Sequence, residues 1–173
     1  YAFISWLRIR LRVRESVQED GVWLCDRIPA PFILGIFRPR IYLPSDLKAE
    51  DRPFVLAHER AHLSRKDHWW KPLGFALLTV HWFNPLLWLS YVLLCHDIES
   101  ACDEKVIREM DRENLRAYST ALLNCSIHRR SIAACPLAFG EVGVRSRIKA
   151  VLNYKRPAFW VIVTCVVVSC VLG

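Results

Sequence analysis

The chain has 173 residues; 53% are hydrophobic and seven are Trp, yet the formal net charge is +7. With a positive mean hydropathy, apolar and basic residues must be segregated along the chain, which argues against an ordinary soluble domain and for one that meets a membrane. The seven cysteines (Cys25, Cys95, Cys102, Cys125, Cys135, Cys165 and Cys170) form an odd set with no C-x-x-C pair, so they describe neither a disulfide scaffold nor a second structural zinc site, and they suit a reducing cytoplasm.

Residues 1–7 are apolar and lead into Arg8, Arg10, Arg12 and Arg14. A bilayer crossing needs about 20 apolar residues, so 1–7 read as the end of a transmembrane helix whose upstream part is missing. The far end mirrors this: Lys149, Lys155 and Arg156 precede an apolar run over 159–173, which reads as the start of a second truncated helix. Basic residues beside spans mark the cytoplasmic side, which assigns 8–158 to the cytoplasm. The order apolar-then-basic is the reverse of a signal peptide. Nucleic-acid binding by the arginine cluster is the other reading; Ile9, Leu11 and Val13 alternate with the arginines and no DNA-binding module follows, so direct nucleic-acid binding is not expected.

Residues 22–25 and 32–36 have strand composition, and 40–43 follow a bend at Phe37-Arg38-Pro39, which predicts a small sheet. An edge of it could hold an extended peptide by main-chain pairing, or the sheet could simply cover the next helix. Ser45-Asp46-Leu47 reads as a helix N-cap with its first turn.

The next helix carries His58-Glu59-Arg60-Ala61-His62, an H-E-x-x-H pentad. Positions i and i+4 share a helix face, so both imidazoles can reach one Zn2+ ion, with Glu59 beside them as general base toward a metal-held water. Phe54 to Ala57 supply an apolar lead-in, Asp51 and Pro53 suit a first turn, and Ser64-Arg65-Lys66-Asp67 closes the segment. An amphipathic helix with two histidines and an ion-paired Glu is the blander reading of the pentad alone.

An apolar stretch over 72–95 follows, long enough to enter a bilayer, with Asn84-Pro85 near its centre favouring two shorter helices. A single crossing would separate His58 from the acidic segment beyond it, so a membrane-embedded or re-entrant helical hairpin is expected. Trp69, Trp70, Trp82 and Trp88 suit an interfacial belt or aromatic packing. His81 reads as hydrogen-bonded rather than ligating.

Beyond the hairpin, Glu99 and Asp103 stand i and i+4 on one helix face. Glu99 is the candidate third ligand and Asp103 the carboxylate that accepts the free N–H of a ligating His, with Asp97 and His96, which point away from that stripe, as the other possible ligands. A solvated acidic face, paired with Lys105 and Arg108, competes with that reading. Residues 114–129 have a helical pattern in which Tyr118 and His128 are candidate donors to a developing oxyanion, against core packing and plain exposure respectively. Residues 131–143 read as a loop and a self-cleavage candidate near Ala138-Phe139. Residues 144–154, with Arg145, Arg147 and Lys149, read as the basic approach to the closing apolar run.

His58-Glu59-x-x-His62, the downstream Asp67, Trp82-Phe83-Asn84-Pro85, Asp97-Ile98-Glu99-x-x-Cys102-Asp103-Glu104 and the earlier Pro39-Arg40-Ile41-x-Leu43-Pro44 together resemble the integral-membrane zinc peptidases of the BlaR and MecR type. The resemblance covers nearly the whole chain. It implies a third ligand at Glu99 followed by Asp103, a multi-pass cell-membrane location with the site facing the cytoplasm, and a cytoplasmic transcriptional repressor as substrate. The expected architecture is mainly helical with a small sheet, a gluzincin-like membrane zincin, with the lipid bilayer as a further partner. A non-catalytic membrane signalling scaffold that keeps the fold is the alternative.

Overall fold

The computed structural model describes residues 7, 9–108, 110–129, 144–154 and 168. After a short 3-10 turn at Val13–Glu15 come four strands, β1 (Val17–Glu19), β2 (Val22–Cys25), β3 (Phe32–Leu34) and β4 (Arg40–Pro44). Five helices follow: α1 (Arg52–Arg65), α2 (Asp67–Val80), α3 (Pro85–Ile107), α4 (Arg112–Arg129) and α5 (Val144–Leu152). The domain is therefore mostly helical with one small mixed sheet.

The sheet has the order β1-β2-β4-β3, with β2 and β4 parallel and the outer pairs antiparallel. Side chains alternate between its faces. Val22, Ile41 and Leu43 turn toward Val55 of α1, while Cys25 and Tyr42 pack with Val13 and Ile28 on the other side. Tyr42 stacks on Phe32 at 5.4 Å between ring centroids. The strand β1 was not anticipated, although its signal is present: Asp20 and Gly21 both take positive φ (50° and 78°), as a two-residue hairpin turn requires. The expected strand over 32–36 stops at Leu34, because Gly35 at φ 110° turns the chain and a side chain there would strike the Arg38 carbonyl.

Ser45-Asp46-Leu47 is a turn and not a helix start; Leu47 N–H bonds back to the Pro44 carbonyl, and the Ser45 hydroxyl is spent on Asp26. The site helix begins instead at Asp51, whose buried carboxylate accepts from Asn124 Nδ2 at 2.9 Å. It ends at Lys66, a non-glycine residue in the left-handed region (φ 61°, ψ 32°) that is at once the C-cap of α1 and the N-cap of α2. Asp67 thus opens a new helix where a simple chain closure was expected.

The helices α2 and α3 form a hairpin with a break over 81–84, and their bounds run past the 72–95 stretch at both ends. Asn84 caps α3 by accepting from the Leu86 amide at 2.9 Å, and Pro85 takes a first-turn position where it needs no donor. His81 Nδ1 donates to the Leu77 carbonyl. The arms meet through Leu78, Tyr91 and Cys95, and Gly74 lets them approach: a Cβ there would lie 3.0 Å from Leu94 Cδ2 and 3.3 Å from the Tyr91 ring. The second arm and the Glu99 segment are one uninterrupted helix of 23 residues. Among the described residues no helix is long and apolar enough to cross a membrane. Of the apolar ends over 1–7 and 159–173, only Leu7 and Val168 are described, and the loop over 131–143 lies outside the described residues.

A last core cluster of Ile107, Tyr118 and Val151 ties α3, α4 and α5 together, with Phe54 of α1 against it. Four helices therefore meet at this core, and polar residues of theirs and of α2 come together beside it.

Candidate metal centre

His58 and His62 lie on the inward face of α1 and are both buried, as is Glu59. Their Nε2 atoms are 3.1 Å apart. The carboxylate of Glu99, from α3, closes the triangle, with Oε2 3.4 Å from His58 Nε2 and Oε1 3.5 Å from His62 Nε2. Zinc bound tetrahedrally at about 2.0–2.2 Å separates its ligand atoms by roughly 3.3 Å, so these three side chains have the spacing such an ion needs, and they form a group able to hold one. Glu99 Oε2 is moreover buried and accepts no well-directed hydrogen bond, its charged neighbours being His58 Nε2 at 3.4 Å and Arg147 Nη1 at 3.1 Å.

Each imidazole is turned so that its other nitrogen meets an acid. His62 Nδ1 is 2.9 Å from Asp67 Oδ2, and Cys102 donates its thiol proton to that same oxygen at 3.2 Å. His58 Nδ1 is 3.2 Å from Asp103 Oδ1 and 2.9 Å from the Tyr118 hydroxyl, which in turn donates to Asp103 Oδ1 at 2.7 Å. With the Nδ1 protons given to these acceptors, the Nε2 atoms of both rings face the shared centre, where each offers a lone pair once its ring is neutral.

Two cations complete the cluster. Arg147 of α5 puts Nε 2.7 Å from Asp103 Oδ2 and Nη2 2.8 Å from Asp103 Oδ1, with Nη1 3.1 Å from Glu99 Oε2. Lys71 of α2 donates to Glu99 Oε1 at 2.7 Å. Burial raises carboxyl pKa values, yet here the partners win. Asp103 is pulled down to about 2 against its burial by Arg147 and His58. Glu99 is held well below the usual range by the two histidines, Lys71 and Arg147. For His62, burial opposes protonation, but Asp67, Cys102 and Glu99 outweigh it and push the imidazole up to about 11.

The structure thus brings together His58, Glu59, His62, Glu99, Asp103 and Tyr118, while the side chain of His128 lies outside the described residues. Tyr118 hydroxyl faces Asp103 and the Nδ1 side of His58, behind the ligand face. Three contributors were not assigned a role in the sequence. Asp67 had a readable signal, an acid five residues past His62 just beyond the helix end. Lys71 and Arg147 had none: Arg147 is 44 positions from Asp103, and it is buried in the cluster instead of forming a basic flank to an apolar run.

A family model described as BlaR1 peptidase M56 matches residues 8–151. The chain belongs to the BlaR1 peptidase M56 family. Among curated M56 relatives, the methicillin resistance mecR1 proteins of Staphylococcus aureus and Staphylococcus epidermidis are each 25% identical over 163 residues, covering 87% of this chain and 28% of theirs. The regulatory protein BlaR1 of Bacillus licheniformis is 31% identical over 135 residues, covering 74% of this chain and 22% of its own. The chain accordingly spans about a quarter of the length of these relatives. The M56 match contains every residue of the cluster, from His58 to Arg147.

Proposed function

We propose that this M56 chain is the catalytic part of a membrane-bound zinc metalloendopeptidase of the antirepressor type. The observation that carries the reading is the triangle of His58 Nε2, His62 Nε2 and the Glu99 carboxylate with 3.1–3.5 Å edges, beside the buried Glu59. His58, His62 and Glu99 would hold the ion. When bound, zinc supplies Lewis-acid polarisation of a peptide carbonyl and a water of lowered pKa. Glu59, next to His58 on the same helix, would serve as the general base toward the attacking water and as the acid toward the leaving amine. Asp103, through Tyr118 and directly, and Asp67 favour in each histidine the tautomer with its proton on Nδ1 and the lone pair on Nε2.

The substrate on this reading is a cytoplasmic transcriptional repressor, in keeping with the regulatory and resistance roles in the relatives' names. The hairpin of α2 and α3 dips into the bilayer by its tip, where Val80, Trp82, Phe83 and Leu86 are 69–70% exposed. Glu99 stands fourteen positions past Pro85 on the same helix, about 21 Å at 1.5 Å per residue, so the tip can enter lipid while the cluster stays on the cytoplasmic side.

Zinc content of the purified protein beside His58→Ala and Glu99→Ala, with cleavage of a candidate repressor by the unmutated and Glu59→Gln proteins, tests the reading. Near one zinc per chain, lost in both ligand variants, and cleavage abolished with zinc retained in Glu59→Gln are expected. Zinc bound with no cleavage of any repressor or generic protein would favour the scaffold.

A further inference from the structure

We infer that Arg147 is a positioning residue of the metal centre, setting the geometry of Glu99 and Asp103 from a helix that carries none of the ligands. The inference rests on the metal-site reading above and adds to it a residue outside the H-E-x-x-H and Glu-x-x-x-Asp pair.

The guanidinium has five N–H donors in a rigid plane. Nε and Nη2 take both oxygens of Asp103 in a fork, while Nη1 reaches Glu99 Oε2 at 3.1 Å. One flat group therefore spans two carboxylates that stand one helical turn apart on α3, fixing the rotation of Asp103 by two hydrogen bonds and holding Glu99 by an ion pair. Nη2 also comes within 3.5 Å of His58 Nε2, the nitrogen that faces the ligand triangle. Lys71 makes a single point contact on Glu99 Oε1 and is more exposed, so it neutralises charge without setting the orientation of the Glu99–Asp103 pair.

A purely structural role explains less. Arg147 has a side chain only 11% exposed, and burying a charge costs desolvation that an apolar residue would avoid. The docking of α5 already has an apolar anchor in Val151, one turn on from Arg147, in the core with Ile107 and Tyr118. What Arg147 adds is directed charge at the two acids; without it, among the described residues, the two buried carboxylates keep Lys71, His58, His62 and Tyr118, of which Lys71 alone is a permanent cation.

The test is zinc affinity, measured by competition with a chromogenic chelator on the purified protein, for Arg147→Ala, Arg147→Lys and the exposed neighbour Arg145→Ala, each checked by thermal melting. Loss of a residue that orients metal ligands costs about 10–100-fold in metal affinity, and that is expected for Arg147→Ala. Arg147→Lys should recover part of it and Arg145→Ala none of the loss. Millimolar guanidinium should tighten zinc binding by Arg147→Ala while leaving the unmutated protein unchanged, since it refills the vacated fork. Equal zinc affinity in folded Arg147→Ala would overturn the inference. So would a loss matched by Arg147→Lys and untouched by guanidinium, which marks a packing role. Absence of zinc in the unmutated protein would instead overturn the metal-site reading beneath it.

Discussion

Asp67 Oδ2 lies 2.9 Å from His62 Nδ1 across a single left-handed residue, Lys66, that separates the two helices carrying them. The sharp turn folds the start of α2 back on the end of α1, so the carboxylate of one faces the imidazole of the other. Asp67→Ala should weaken zinc binding by about 10–100-fold, the usual cost of removing the acid behind a ligating histidine. Chelator competition measures it; unchanged affinity would remove Asp67 from the site.

Tyr118 separates two roles. As a donor to the oxyanion it would leave zinc affinity alone in Tyr118→Phe and lower kcat. Its hydroxyl instead bridges His58 Nδ1 and Asp103 Oδ1, so Tyr118→Phe is expected to weaken zinc binding several-fold and to cost about 1–3 kcal/mol of stability by leaving Asp103 short of a buried donor. Urea titration and chelator competition on the same preparation decide between them.

The imidazole of His62, raised to about 11, carries a proton in the metal-free protein at neutral pH. A metal needs Nε2 unprotonated, so zinc uptake at pH 7 should release close to one proton from His62. Calorimetry in buffers of different ionisation enthalpy reads that number. Without metal, a folded-state pKa above the free value of 6.5 means that protonated His62 stabilises the fold fully below about pH 6.5, and that this contribution is lost as pH rises toward 11. Metal-free protein should therefore lose stability between pH 7 and 11 faster than His62→Gln does.

Gly74 is where the hairpin arms touch. Gly74→Val would place its Cβ 3.0 Å from Leu94 and 3.3 Å from Tyr91 with further methyl groups beyond, and overpacking of this kind costs about 1–3 kcal/mol. A lowered melting temperature with Zn:protein stoichiometry retained is expected, since α1 and the Glu99 turn of α3 lie outside the contact.

Much of the site was legible because helical periodicity is local. His58 and His62, and Glu99 and Asp103, are i and i+4 pairs, and a helix puts such pairs on one face whatever surrounds it. The break at Asn84-Pro85 was legible for the same reason, since proline forbids the helix from continuing through it. Boundaries were less readable. Whether Ser45 caps a helix or closes a turn depends on Asp26, a residue on a different segment, and β1 exists only through its pairing with β2.

The sequence by itself determined the chemistry on offer: which residues can hold a metal, which can move a proton, and where apolar surface would be exposed. The tertiary structure decided which acid serves which histidine. Asp67 takes His62 because Lys66 turns the chain at that point, Asp103 takes His58 with Tyr118 between them, and Arg147 arrives from a helix far along the chain to hold two acids at once. Such pairings depend on the packing of five helices, and no local pattern encodes that packing; burial then makes each pairing obligatory, because an unpartnered charge there would cost more than the fold can offset.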